Sequence, residues 1–300
     1  MLARVDHRAQ LMPLFRELGH LKRITSAGRD GSIATRLFLR AWGELVVGEM
    51  PTDVMRRSVG AAVAAGRLGD LDLVKLRELG LTNVEASTVL RAGFDALAEA
   101  VDPAFATQLK KVLAEDAASG SLLPFVALLA AQPRAGVTCP GKPRMMLLPA
   151  ENHAEHCLTV AVYAVLLAAD YGADPATVFL AGLGHHLYNA VMPDSGFTGE
   201  VLLGDLLERI MGTARDRALS ELPTPLQDRM REALVVIADD RSPEGRAFHA
   251  ADVIDRVLEI EQHLAVAHST MDMVLRHYGL VHAGPVKAFH DATLREVGLL

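Results

Sequence analysis

The chain is poor in cysteine. Only Cys139 and Cys157 occur in 300 residues, with no CxxC pair between them. That argues against a disulfide framework and fits a reducing compartment, so a cytoplasmic location is expected. A basic excess is lacking too: 30 Lys and Arg stand against 37 Asp and Glu, a formal charge of −7. Such a field disfavours non-specific binding to nucleic acid. Alternating β-branched runs, the mark of strands, are nearly absent. The apolar run "SLLPFVALLAAQ" (Ser121 to Gln132) is too short to span a bilayer and contains Pro124, and "MLARVDHRAQLMPLF" carries charges too early for a signal peptide. No membrane association is expected.

What remains is a globular composition, half hydrophobic and 22% charged, long enough for one large domain or two ordinary ones. Helix signals dominate, and the expected class is all-α. Asp102-Pro103, Asp174-Pro175, Thr224-Pro225 and Ser242-Pro243 pair a capping side chain with a proline whose missing N–H costs nothing at a helix start. "TNVE" (Thr82 to Glu85) has capping-box spacing, and Gly172 marks a helix end. "AQPRAGVTCPGKPRMM" (Ala131 to Met146) holds three prolines and two glycines and reads as a linker. It divides a helical segment, 1–135, from a second helical domain, 140–300. "SAGRDGS" (Ser26 to Ser32) has glycines enough to cradle a phosphate, but without a P-loop lysine or a preceding strand it reads as a simple loop.

Chemistry concentrates after the linker. In "ENHAEHCLTVAVYAVLLAADYG" His156 shares a helical face with Val160, Tyr163 and Leu167. In "DPATVFLAGLGHHLYNA" His185 falls with Val178, Ala181 and Asn189 on a second helix, and His186 is its neighbour. Asp252 sits on a third helix with Asp255, Arg256 and Glu259. Three helices of a bundle can bring His156, His185, His186 and Asp252 to one point, a donor set suited to a divalent transition metal: iron, manganese, cobalt, nickel or zinc. The plain alternative is a set of buried structural histidines and a surface Asp252 paired with Arg256.

The order of these motifs resembles the HD-domain superfamily of metal-dependent phosphohydrolases, nearest the branch of bacterial 5′-deoxynucleotidases. "ENHAEHCLTVAVYAVLLA" resembles the family's first helix, "DPATVFLAGLGHHLYNA" the helix of its His-Asp dyad, and "AADVIDRVLEIEQ" the helix of its last ligand. The likeness covers roughly residues 145–263. It implies a helical bundle of HD type, with His156 as first ligand, His185 as the dyad histidine and Asp252 as final ligand. The dyad aspartate falls on His186, and a nearby acidic position falls on Asn189. A histidine still coordinates but cannot bridge two ions, and an amide is no general acid or base.

Glu155 and His249 are candidate outer partners of the ligands, His249 also a candidate extra ligand; His153 reads as solvent-facing. Arg144, with Lys142, Arg241 and Arg246, is a candidate for holding phosphate. His263, His268, His277, His282 and His290 read as surface or interhelix residues, and Cys157 as a packed side chain. Three functions are expected in turn. The first is a metal-dependent phosphohydrolase acting on a nucleotide or other small phosphate ester. The second is a non-catalytic regulatory module that meets a protein partner through its N-terminal helices. The third is an iron-dependent oxygenase.

Overall fold

A computed structural model describes residues 7–116, 118, 120–267 and 270–300; His268 lies outside them. The fold is all-α, and the described residues contain isolated bridges but no strand. In the first half run α1 (Met12–Gly19), α2 (Ile33–Val46), α3 (Pro51–Leu68), α4 (Leu73–Glu78), α5 (Asn83–Asp95), α6 (Pro103–Val112) and α7 (Pro124–Ala131). Then follow α8 (His153–Tyr171), α9 (Pro175–Gly184), α10 (Gly196–Leu203), α11 (Leu207–Leu219), α12 (Thr224–Leu234), α13 (Pro243–Ala267) and α14 (Lys287–Glu296).

Most starts follow the capping chemistry. Asp102 and Asp174 accept from the N–H groups of Phe105 and Thr177, Ser242 accepts from Gly245, and Thr82 with Glu85 completes a capping box. Thr224 differs: it is itself the first helical residue, after Pro223, and no side chain caps that end. Gly172 ends α8 at φ 72°, the left-handed conformation that costs glycine least.

Helix α8 is the centre of the molecule. It packs against α9, α13, α2 and α7. Nearly every residue from His153 to Ala168 is buried, so its apolar sequence runs all the way round. Among the described residues it alone is long and apolar enough to cross a membrane, and 83% of that window is covered by the rest of the fold.

The apolar core is continuous from Leu11 to Val297 and passes through the division expected near residue 135. Phe15 of α1 stacks on Tyr163 of α8 at 4.1 Å, and the Tyr163 hydroxyl donates to the Phe15 carbonyl. The proline- and glycine-rich stretch before α8 is tied down at both ends. Pro133 bridges Asn152, Val137 bridges Met145, and the Arg134 N–H donates to the Glu151 carbonyl at 2.9 Å. These ties place Arg134 and Glu151 beside the start of α8, where the candidate ligands gather.

Candidate metal centre

His156 lies in the first turn of α8, fully buried. A capping box sets that turn: Asn152 accepts from the Glu155 N–H at 2.9 Å, and the Glu155 carboxylate accepts from the Asn152 N–H at 2.8 Å. Glu155 also accepts from the Ser32 hydroxyl at 2.6 Å, tying α8 to the first residue before α2. This corrects the expectation that Glu155 serves a ligand; its oxygens are taken up by the helix end and by Ser32.

The two adjacent histidines do not ride on a continuous helix. Neighbours on an α-helix point ~100° apart. Here α9 stops at Gly184, His185 is its C-cap, and His186 at φ −106°, ψ 21° leads into a turn of 3-10 helix from Leu187 to Ala190. The break turns both rings to one side, their centroids 4.3 Å apart. Gly182 makes the approach of α9 to α8 possible, since a Cβ there would lie 2.5 Å from the Ala161 Cα. His185 thereby reaches His156 across the helix pair.

Ligand-binding nitrogens of His156, His185 and His186 lie within 4.8 Å of one another. His156 Nε2 is 3.1 Å from His185 Nε2 and 3.3 Å from the Asp252 Oδ1. Donors on one ion at ~2.1 Å, with angles of about 90–110°, stand ~3.0–3.4 Å apart, so these separations suit a shared ion.

The outer hydrogen bonds fix which nitrogen of each ring carries its proton. His185 Nδ1 lies 2.7 Å from the Gly182 carbonyl, which only accepts, so Nδ1 donates. His186 Nδ1 lies 2.7 Å from Asn189 Oδ1. The Asn189 amide nitrogen donates to the Met192 carbonyl at 3.2 Å, which orients the amide and leaves its oxygen to accept from His186. His156 Nδ1 donates to Asp255 Oδ2 at 2.7 Å. His185 and His186 thus keep Nε2 for a lone pair, while His156 Nε2 faces both the His185 Nε2 and the Asp252 Oδ1 at spacings that suit a hydrogen bond or a shared cation.

Charge in the site follows from burial and neighbours. Burial, then the His156 ring beside it, push His185 down to about 3, and burial, then His185 and His153, hold His186 well below the ordinary range. Both rings are therefore neutral. Burial alone would raise the Asp252 carboxyl, but His156 and Arg256 outweigh it and hold the group well below its usual value. The C-terminal end of α9, where His185 sits, adds partial negative charge.

The remaining candidates are placed as follows. Asn189 orients His186. His249 stands on the wall of the adjoining cavity; burial lowers its pKa, the Ile237 carbonyl accepts from its ring, and its Nε2 has no partner. Arg144 is corrected: its guanidinium donates to the Ala135 and Ser195 carbonyls at 2.9 and 3.3 Å and holds the loops together, outside the cavity wall. Arg241 pairs with Asp239, and Arg246 lies over the rings of Tyr171 and Phe289. His153 is corrected as well. It is fully buried with neither nitrogen hydrogen-bonded, its Nε2 3.7 Å from the Asp194 carboxylate, and burial, then Arg134, push it down to about 2. Cys157 is buried, and burial pushes its thiol far up, so it is a packed side chain and not a nucleophile. His282 stacks on Phe197 and lines the cavity, His263 pairs with Glu259, and His277 is exposed.

Several site residues carried no signal in the sequence reading. Asp255 was legible as a helix-face neighbour of Asp252, one turn on, but not as the partner of His156. Arg134, Glu151 and Lys22 could not be found, because a loop and the N-terminal segment deliver them. The cavity beside the histidines measures about 350 Å³, and Arg134, Arg215 and Arg256 stand on its wall. Arg134 remains charged, since Glu151 and other carboxylates outweigh its burial, and its Nη1 has no partner.

Comparisons of the chain with protein-family models, curated proteins and solved structures gave no match.

Proposed function

We propose that the chain is a mononuclear metal-dependent phosphohydrolase of HD type, acting on a small phosphate ester such as a nucleotide. The observation that carries this reading is the arrangement of the rings: three imidazoles have Nδ1 tied outward, His156 and His185 bring their Nε2 atoms to 3.1 Å, and the Asp252 carboxylate stands 3.3 Å from His156 Nε2. His156, His185, His186 and Asp252 would hold the ion. Bound there, a divalent ion supplies Lewis acidity, easing deprotonation of a water and neutralising charge on a phosphoryl oxygen. His186 in place of a carboxylate favours one ion over two, because imidazole cannot bridge.

The chain's own residues supply the rest. Arg134, with its free Nη1, and Arg256 and Arg215 offer donors to phosphoryl oxygens across the cavity. His249 is a neutral ring whose unpartnered Nε2 can take a proton from an attacking water. Asn189 cannot serve there, since its amide is committed to His186 and Met192. That commitment favours, as a second reading, a regulatory module that keeps the metal and has lost turnover.

The test is elemental analysis of tag-free protein purified without chelator, wild type beside His185→Ala, followed by a phosphate-ester screen. One equivalent of metal in the wild type, lost in the variant, with release of phosphate supports the enzyme. Metal without release supports the regulatory module. A folded wild type that stays empty after added iron, manganese, cobalt, nickel and zinc overturns both.

A further inference from the structure

His156 is held from behind by a buried ion cluster that the first half of the chain completes. Lys22, in the short turn after α1, is 3% exposed. Its ammonium donates to Asp255 at 2.7 and 2.9 Å, to Glu151 at 2.8 Å and to Glu259 at 3.4 Å. Arg23 and His263 take the other side of Glu259. The same Asp255 accepts the His156 Nδ1–H at 2.7 Å. Glu151, His156 and Asp255 could by spacing hold a cation of their own, but the Lys22 ammonium already lies against both carboxylates.

We infer that Lys22 is a positioning residue for the metal centre: its ammonium holds both Asp255 oxygens in place against His156 Nδ1, which fixes the ring with Nε2 toward the metal side. The chemistry is that of a carboxylate–histidine–metal relay, here with the carboxylate fixed by a lysine from a distant part of the chain. With both Asp255 oxygens held by the ammonium, the one that accepts from Nδ1 cannot swing away, and the ring keeps its Nε2 turned toward His185. The first half of the chain is thereby part of the site.

This rests on the proposed metal centre for its consequence, but its first step is measurable without metal. In the apo protein the buried His156 Nδ1–H gives a downfield, exchange-protected NMR signal, assigned by its loss in His156→Gln. Lys22→Met is expected to remove or shift that signal and to weaken Co²⁺ binding by ~10–100-fold, the usual effect of losing an outer partner. Lys22→Arg, which keeps the charge, is expected to restore much of both. Where Lys22→Met does not fold, Lys22→Met with Glu259→Gln removes one charge of each sign and is read the same way. An unchanged Nδ1–H signal in the folded lysine variant overturns the inference, whatever the metal does. A wild type that binds no metal, yet shows the lysine-dependent signal, overturns the proposed function and leaves Lys22 in its role.

Discussion

His156 and His185 are 29 residues apart in the chain, yet their Nε2 atoms stand 3.1 Å from one another, each ring tied by Nδ1 to an acceptor outside the pair. The two nitrogens are spaced for a shared cation, and the Asp252 carboxylate stands 3.3 Å from the first. Metal binding should stabilise the fold strongly, by ~2.7 kcal/mol at an ion concentration one hundred times the Kd. Thermal melts with chelator and with added Mn²⁺ or Zn²⁺ measure this. The melting temperature should rise with metal in the wild type and stay fixed in His185→Ala; an equal rise in both places the ion elsewhere.

Gly182 sets the distance between the helices that carry these rings. A Cβ there meets the Ala161 backbone at 2.5 Å, and backbone yields less readily than a side-chain tip. Gly182→Ala should cost ~1–3 kcal/mol by overpacking and push α9 away from α8. Urea unfolding reads the first effect and metal affinity the second. Loss of affinity in a variant that is still folded at the assay temperature distinguishes displaced ligands from a collapsed protein.

How much of this the sequence announced depends on the range of the interaction. Capping pairs such as Asp174 and Thr177, or Thr82 and Glu85, act over three residues, so the helix starts were legible. The candidate ligand set rests on helical spacing plus the resemblance. The turn at His186 was not legible, because a side chain's own spacing does not say where a helix stops; the continuous helix expected there would have sent its two histidines apart. Lys22 and Asp255 are separated by 233 residues, and nothing in the local pattern of either reports the other. Arg134 was lost inside a stretch that composition marked as linker, whereas its backbone bonds to Glu151 make it a fixed wall.

Acid should destabilise this protein from just below neutrality. Burial holds His282 and His290 down to about 4, against an ordinary value of 6.5, and His153 down to about 2. Below pH 6.5 the unfolded chain takes up protons at these positions and the folded chain does not, so stability falls with falling pH until each folded value is reached. The slope is about 1.4 kcal/mol per pH unit for each such ring. Glu259 adds a second loss. Burial would raise it, but Lys22 and His263 outweigh that and hold it at about 2. Its stabilisation is complete above 4.5 and disappears as pH falls toward 2. Chemical denaturation of apo protein should give its steepest losses below pH 6.5. A stability that is flat from pH 7 to pH 5 would show that these rings ionise within the fold.

His249 separates binding from turnover. Its ring lies on the cavity wall, three residues before Asp252 on α13, with the Ile237 carbonyl accepting from one nitrogen and Nε2 unpartnered. It is not among the three histidines whose nitrogens converge. His249→Phe keeps the ring's volume and removes the proton acceptor. The expected result is metal content and melting temperature close to wild type, with phosphate release down by ~10²–10⁴-fold, the usual worth of a positioned general base. The pH profile should change as well, losing the acidic limb that protonation of a general-base imidazole imposes. Unchanged turnover would leave water activation to groups other than His249, whereas loss of the metal itself would make His249 a ligand and enlarge the set beyond His156, His185, His186 and Asp252.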